Sequence, residues 1–211
     1  MSPQLITPDG IEHSITQGER ATRLCVPYMT AEGDWLNLGC GKSPIAGWIN
    51  LDRVGGYGAD IVRTLGVDTI PLKDASCSCV FASHVLEHIP NILHAMREIH
   101  RVLIPGGVLV ACTPYASSDG AWDDPTHVRA FTEHSWMFYD RRTHETPGNA
   151  GYYPSECDFI FDILRVDLIP ELEYVAAINA GTLTEVEFRR KVRTERNTIL
   201  ELQAHLRKVE G

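Results

Sequence analysis

Hydrophobic and polar positions follow two different periods along the first half of the chain. Short apolar runs at Trp35–Leu38, Ile49–Asp52, Cys77–Ser83 and Val108–Thr113 have the length of strands buried on both faces. Ala59–Val62 reads as another short strand, entered through Gly55-Gly56-Tyr57-Gly58. Apolar residues at 92, 93, 96, 99, 102 and 103 keep the 3.6-residue period of a helix that packs on one face. Glu19–Met29 also reads as a helix, with Gly33-Asp34 turning the chain into the first strand. Pro105-Gly106-Gly107 is expected to end the later helix, because proline cannot continue it and glycine permits the turn. Strands alternating with helices predict a doubly wound α/β sheet.

The second half is patterned differently. Residues 114–156 are rich in Asp, His, Pro, Gly and aromatics without a sustained period, so loops and short helices are expected. Phe159–Leu168 reads as a strand and Thr184–Arg196 as a helix with Thr184 at its N-cap. From Leu200 to Leu206 the alternation is strict: Leu200, Leu202, Ala204 and Leu206 against Glu201, Gln203 and His205. This predicts a strand with one wet face. Two late strands after the alternating units complete a seven-stranded sheet. The 211 residues fit one domain: a core at about 20–113, a recognition segment at about 114–156, and late strands and a helix at 157–211.

Composition narrows the function. With 44% hydrophobic and 22% charged residues the balance is that of a globular protein. A net charge of -9 argues against a general nucleic-acid binder, which needs clustered Lys and Arg. The basic run Phe188–Arg193 is interleaved with Glu185, Glu187 and Glu195 and reads as a solvated helix face. No apolar stretch is long enough to span a membrane, and Met1–Pro8 lacks the basic and apolar regions of a signal peptide. Cysteines 25, 40, 77, 79, 112 and 157 form no CxxC pair, so reduced, mostly buried thiols in a cytoplasmic protein are expected.

The chemistry concentrates at Gly39-Cys40-Gly41, just past a strand, and at Asp52, which ends the next strand. Glycines there let a ligand approach the backbone, and a carboxylate so placed can accept from both hydroxyls of a ribose. A dinucleotide turn needs a third glycine and a full helix facing the pyrophosphate. Here position 44 is proline, and Asp52 follows Gly41 by only eleven residues. No Walker loop spacing is present either. The turn suits an adenosine ligand without phosphates.

Several segments in order resemble the class I S-adenosylmethionine-dependent methyltransferases, in a small type 11-like subgroup. Leu36-Asn37-Leu38-Gly39-Cys40-Gly41 with Gly47-Trp48-Ile49-Asn50-Leu51-Asp52 resembles its first motif. Ala59-Asp60-Ile61-Val62 and Ile70-Pro71-Leu72-Lys73-Asp74 resemble the approaches to the third and fourth strands. Ser83-His84-Val85-Leu86-Glu87-His88 resembles its Leu-Glu-His signature. Glu98-Ile99-His100-Arg101-Val102-Leu103-Ile104-Pro105-Gly106-Gly107 resembles the helix and turn before the fifth. The resemblance covers about residues 33–132 and the last third only in outline.

It implies a Rossmann-like, mainly parallel seven-stranded sheet with an antiparallel late strand, and S-adenosylmethionine as cofactor. The implied cofactor contacts are Asn37, Gly39, Cys40, Gly41, Asp52, Arg53, Thr64, Leu65, Ser83, His84 and His88. Three places depart from the subgroup. Asn37 stands where an acid is common, and Ser76-Cys77-Ser78 lacks an acidic group. Arg63–Asp68 is about two residues longer, leaving Thr64 and Asp68 as rival partners for the adenine amine.

The segment Thr113–Trp136 lies past the fifth strand, where ligands of open α/β sheets bind, and supplies the acceptor side. Tyr115, Arg129, Phe131 and Trp136 are its candidate substrate contacts. Asp123-Asp124-Pro125-Thr126-His127 offers His127 as a general base with Asp124 to orient it. The expected function is methyl transfer to the oxygen or nitrogen of a small molecule, such as a sugar or natural-product intermediate.

Three rivals are a non-catalytic module with the same fold, a nicotinamide oxidoreductase, and a zinc hydrolase. The last would use His84-x-x-Glu87-His88, which is also an inverted zinc-protease pattern. That site needs both histidines on one helical face plus a third ligand, and Pro90 stands two residues past His88. No metal is expected.

Overall fold

The computed structural model describes residues 12–17, 20–25, 33–146 and 159–209. Strands β1 (Glu12–Gln17) and β2 (Arg20–Cys25) pair antiparallel from Glu12↔Cys25 to Gln17↔Arg20, forming a separate two-stranded sheet. Over Arg20–Cys25 this overturns the helix expected across Glu19–Met29; Glu19 and residues 26–29 lie outside the described residues. The strands carry Ile15, Thr16 and Thr22, whose branched β-carbons favour extended backbone, and only Gly18 and Glu19 connect them.

The main sheet starts with β3 (Asp34–Leu38), β4 (Ile49–Asp52) and β5 (Ile61–Val62), then β6 (Cys77–Ser83). Helix α1 (Ile92–Val102) leads into β7 (Leu103–Pro114). After α2 (Arg141–Glu145) come β8 (Phe161–Pro170), α3 (Leu172–Asn179), α4 (Glu185–Thr194) and β9 (Ile199–Lys208). The strand order is β5-β4-β3-β6-β7-β9-β8, with β3 to β7 parallel and β9 antiparallel to both β7 and β8. This is the seven-stranded, mainly parallel sheet expected. From β3 the chain builds outward to β5, then returns to place β6 on the other side of β3. The crevice past the C-terminal ends of β3 and β6 is therefore the topological switch point, where such sheets bind ligands.

All seven residues of β6 are buried, as a strand covered on both faces requires. Helix α1 begins where the Asn91 side chain accepts from the His94 N–H, and it buries Ala95, Met96, Ile99 and Val102 against the sheet. Its Glu98 accepts from Ile70 N–H at 2.7 Å, and Arg101 bonds Glu98, Asp74 and the carbonyls of Ile70 and Leu72. These contacts tie the approach to β6 onto α1. The Arg101 hydrogen bond and Ile70 N–H together hold the Glu98 carboxyl below its ordinary range, against the cost of burial.

Two expectations about punctuation change. Helix α1 stops at Val102, before the Pro-Gly-Gly, and Leu103 is already extended. Pro105-Gly106-Gly107 lies inside β7, where the partner of β6 jumps from Leu103 at Cys77 to Val108 at Cys79. The three residues absorb an irregularity between two strands. The expected strand at Ala59–Val62 shrinks to Ile61–Val62 at the sheet edge. Helix α3 had no counterpart in the pattern. Helix α4 starts as expected: Thr184 and Glu187 form a reciprocal capping box.

The face of β9 expected to be wet is largely covered. His205 pairs with Val110 of β7, which pairs with Phe81 of β6, so the three share one face. There Phe81, Val108, Val110 and Cys112 form a second apolar cluster with Ile45, Trp48 and Leu164 packed on it. A strand with neighbours on both sides takes its environment from the layer over it, which its own alternation does not reveal. His205 is 3% exposed, and burial pushes its pKa down to about 4, with Arg165 assisting and Asp167 opposing.

Between pH 6.5 and 4 the unfolded chain binds a proton at His205 that the folded chain excludes, so stability falls as pH drops through that window. At pH 5 this costs about 2 kcal/mol. Denaturant titrations at pH 7 and pH 5 should show His205→Gln losing less stability on acidification than the wild type. Equal losses would exclude His205 as the source.

Candidate active site

The loop after β3 is tied down by the strand beside it. Gly39 and Cys40 both donate their backbone N–H to the carbonyl of Leu51, at 2.8 and 3.1 Å. Gly41 N–H donates to Asp52 Oδ2 at 2.9 Å, and Val54 N–H to Asp52 Oδ1 at 2.8 Å. Asn50 anchors the rest of the loop. Its Oδ1 accepts from Ile45 N–H and from Asn37 Nδ2, and its Nδ2 donates to the carbonyls of Ile45 and Trp48. Asp60 in turn accepts from Asn50 N–H at 2.8 Å. Asn50 and Asp60 were matched as motif letters only, and nothing in their spacing reveals this anchoring.

The two glycines do different work. Both have positive φ, +64° at Gly39 and +49° at Gly41. A Cβ on Gly39 would lie 2.5 Å from Val85 Cγ2, so this glycine lets the loop press against the turn that follows β6. A Cβ on Gly41 would meet nothing within 4 Å. The open space thus lies over Gly41, beside the Asp52 carboxylate, each of whose oxygens keeps a lone pair after its backbone bond. Among the described residues no helix N-terminus follows this turn to hold a pyrophosphate: the chain passes from it directly to β4.

The remaining cofactor candidates are spread around this edge. Asn37 and Cys40 are buried, so Asn37 supports the loop through Asn50 and Cys40 presents only backbone. Arg53 and Thr64 are exposed, and Leu65 packs on the core. Asp68 Oδ2 accepts from Thr64 N–H at 2.8 Å, which commits Asp68 to capping its own turn and leaves the Thr64 side chain facing solvent. Ser83 is buried at the end of β6. His84 follows with φ +51°, its ring between Glu87 at 3.5 Å and Glu201 at 3.4 Å. Desolvation alone would lower its pKa, but the two carboxylates outweigh this and raise it to about 9.

Next to His84 lies a cavity of about 590 Å³, lined in part by Glu87, His88, Asp124, His127 and Glu201. The rings of His88 and His127 meet edge-on, centroids 4.6 Å apart. His127 Nδ1 is 3.1 Å from the carbonyl oxygen of Ala121, which can only accept, so Nδ1 carries the proton and Nε2 the lone pair. His88 Nδ1 is 2.8 Å from Thr126 Oγ1, whose own proton goes to Asp124 Oδ1 at 2.7 Å. His88 is held in the same tautomer. Asp124 therefore orients His88 through Thr126, whereas Ala121 orients His127. Its carboxyl is held below its ordinary range, first by the Thr126 hydroxyl and then by Thr126 N–H.

Three of the four candidate substrate contacts sit in the core. Tyr115 is buried with its hydroxyl on Glu133, and Phe131 stacks on the fully buried Trp136 at 5.2 Å. Arg129 donates to the carbonyls of Ile89 and Pro90, pinning the segment to the turn after β6. None of the four lines the cavity beside His84. Arg129 and Phe131 line a second cavity, of about 600 Å³, together with His134 and Tyr139. Glu201, Glu171, Asp119 and Asn197, which do line the cavity, come from or lie beside distant elements and carry no local signal. Four free cysteines (40, 77, 79 and 112) are buried, as expected; Cys157 lies outside the described residues. Among the described residues no helix is long and apolar enough to cross a membrane.

Comparison with known proteins agrees with this fold. Residues 52–111 match a family model described as a methyltransferase domain. The chain resembles the crystal structure of a SAM-dependent methyltransferase from Archaeoglobus fulgidus, with a TM-score of 0.57 and 15% identity, covering 86% of this chain and 89% of that one. It also resembles the [4+2]-cyclase SpnF, with a TM-score of 0.53 and 16% identity over 97% and 89% of the two chains. The YcgJ protein of Bacillus subtilis gives 0.51 at 16% identity, over 87% and 94%. At such identities these likenesses establish the fold. In sequence, a 69-residue stretch, 32% of the chain, is 38% identical to an uncharacterized 37.1 kDa protein in transposon Tn4556 of Streptomyces fradiae. The match spans 20% of that protein's length.

The contrast between the glycines is testable. Gly39→Ala should lose about 2 kcal/mol or more of stability, since a left-handed alanine costs about 1–2 kcal/mol before the clash with Val85. Gly41→Ala bears the same left-handed cost but meets no clash, so it should lose less stability than Gly39→Ala and bind S-adenosylhomocysteine about tenfold more weakly (~1.4 kcal/mol). Thermal melts and calorimetry separate the two, and the reverse pattern would contradict the assignment.

Proposed function

We propose that this chain, a class I S-adenosylmethionine-dependent methyltransferase by fold and by the sequence of its central segment, methylates a hydroxyl or amine of a small molecule held in the cavity beside His84. One observation carries this reading. Gly39, in the turn that carries Gly41, packs against Val85 in the turn bearing His84, Glu87 and His88, which brings the open space over Gly41 and a polar cavity to the same edge of the sheet.

In this reading Gly41 backbone and Asp52 hold the ribose, Thr64 and Leu65 flank the adenine, and Ser83 and His84 lie at the methionine end. When bound, the cofactor supplies an electrophilic methyl group on a sulfonium. The chain's task is then mainly to align the acceptor atom. For a hydroxyl acceptor, Nε2 of His127 takes the proton, with Ala121 fixing the ring; an amine arriving deprotonated needs positioning alone. The ionisable groups around the cavity favour a small polar acceptor, such as a sugar or hydroxylated natural-product intermediate. The four buried free thiols support a cytoplasmic setting.

Wild-type protein should bind S-adenosylmethionine or S-adenosylhomocysteine with micromolar affinity. Asp52→Ala should weaken this at least tenfold, about 1.4 kcal/mol. Calorimetry with no heat from wild type would sink the cofactor assignment. In a labelled-methyl screen of hydroxylated acceptors, His127→Ala should lose turnover while binding S-adenosylhomocysteine normally. Binding without turnover on any acceptor by wild type would favour a non-catalytic module.

A further inference from the structure

The geometry points to a site for a divalent first-row transition metal ion at Glu87, His88 and His127. One ligand-capable atom from each of the three lies within 4.8 Å of the others. Glu87 is 1% exposed, and neither carboxylate oxygen has a hydrogen-bond partner; its charged neighbour is His84 Nδ1 at 3.5 Å. His84 lies against Oε1, so Oε2 is a buried carboxylate oxygen without a partner, open to a cation.

The second observation is the orientation of the rings. Metal-bound histidines characteristically give their other ring N–H to a carbonyl, carboxylate or hydroxyl, which fixes the tautomer and the direction of the lone pair. Here both do. His127 Nδ1–H points at Ala121 O, and His88 Nδ1–H at Thr126 Oγ1, itself polarised by Asp124. Both Nε2 lone pairs are left free in a pair of rings already in contact.

Two imidazoles and one carboxylate suit zinc, iron, cobalt or nickel better than magnesium or calcium, which prefer oxygen ligands. With ligand distances of about 2.0–2.2 Å, closing the site requires side-chain shifts of about 1 Å. The pattern His84-x-x-Glu87-His88 is thus only half used. His84 is exposed and directed at Glu87 and Glu201, and the third ligand comes from the recognition segment 39 residues past His88.

The inference rests on the reading that the acceptor occupies this cavity, and it deepens it. Three protein ligands leave open positions facing the cavity. An acceptor hydroxyl coordinated there gives its proton to solvent water more readily than a free one. In the metal-loaded protein the Nε2 lone pair of His127 is a ligand, and the cation takes over the activation assigned above to the free imidazole. Acceptors with adjacent oxygens, able to chelate, are the class this site would take.

Turnover does not distinguish these two roles of His127, but metal binding does. Tag-free full-length protein, stripped with chelator, is titrated with Co²⁺ and followed by its visible ligand-field absorption and by equilibrium dialysis. One Co²⁺ per chain is expected, with affinity lowered at least tenfold in Glu87→Gln and in His127→Ala. His134→Ala, an exposed histidine outside the cluster, should match wild type. Should Glu87→Gln fail to fold, His127→Ala carries the test alone. Absence of stoichiometric Co²⁺ binding by wild type, or binding indifferent to Glu87→Gln and His127→Ala, overturns the site. S-adenosylhomocysteine affinity, measured on the same samples, reports separately on the methyltransferase reading: if it persists while Co²⁺ fails, only the metal is lost.

Discussion

The carbonyl of Leu51, at the end of β4, accepts from two successive N–H groups of the glycine turn after β3. That shared acceptor is the constraint on which the site depends. It bends the chain back over the end of its neighbouring strand, on a path that puts Gly39 and Gly41 at positive φ. Once Gly39 and Cys40 are held there, Gly41 N–H reaches Asp52, and the missing Cβ of Gly39 makes room for Val85. One turn therefore fixes the carboxylate, opens the space above Gly41 and docks the Ser83–His88 turn. Asn50 stiffens the loop behind it, so little conformational entropy is left to lose when a ligand binds.

The cavity beside His84 is built from a different principle. Its groups come from the ends of β6 and β7, from the segment 118–127 and from Glu201 on β9, so no single element carries it. Hydrogen bonds hold the parts together: Val128 N–H to Glu87 carbonyl, Arg129 to the carbonyls of Ile89 and Pro90, and Asn197 to Asp119. Just past the segment 118–127 in the chain, Phe131, Trp136 and Tyr139 are buried ring against ring, and Phe131 bridges to Tyr115 beyond the end of β7. Imidazoles fixed in one tautomer are preorganised to accept, whether a proton or a cation.

Much of the sheet was legible because its signals are local. The apolar runs of β4 and β6 coincide with their strands, and the 3.6-residue period of α1 locates its buried face. The site's glycine turn was legible for the same reason, since turn and carboxylate lie eleven residues apart. What the chain did not disclose depends on distant partners. Arg20–Cys25 is extended because it pairs with Glu12–Gln17, and β7 runs through Pro-Gly-Gly because β6 holds it on both sides. His205 alternates as an exposed residue would, yet a second apolar cluster covers its face. Tyr115 and Trp136 have the composition of a ligand pocket but are buried in the core, which their local sequence does not show. Asp124 precedes His127 by three residues but reaches His88 instead, through Thr126.

The central claim is that the space over Gly41, bounded by Asp52, holds the adenosine part of a methyl-donor cofactor. A crystal structure of the wild-type chain soaked with S-adenosylhomocysteine tests it most directly. The account predicts ribose hydroxyls on the Asp52 carboxylate and the homocysteine sulfur directed toward the cavity lined by His84, His88 and His127. Clear density for the ligand elsewhere, with Asp52 bonded only to Gly41 and Val54, would contradict it.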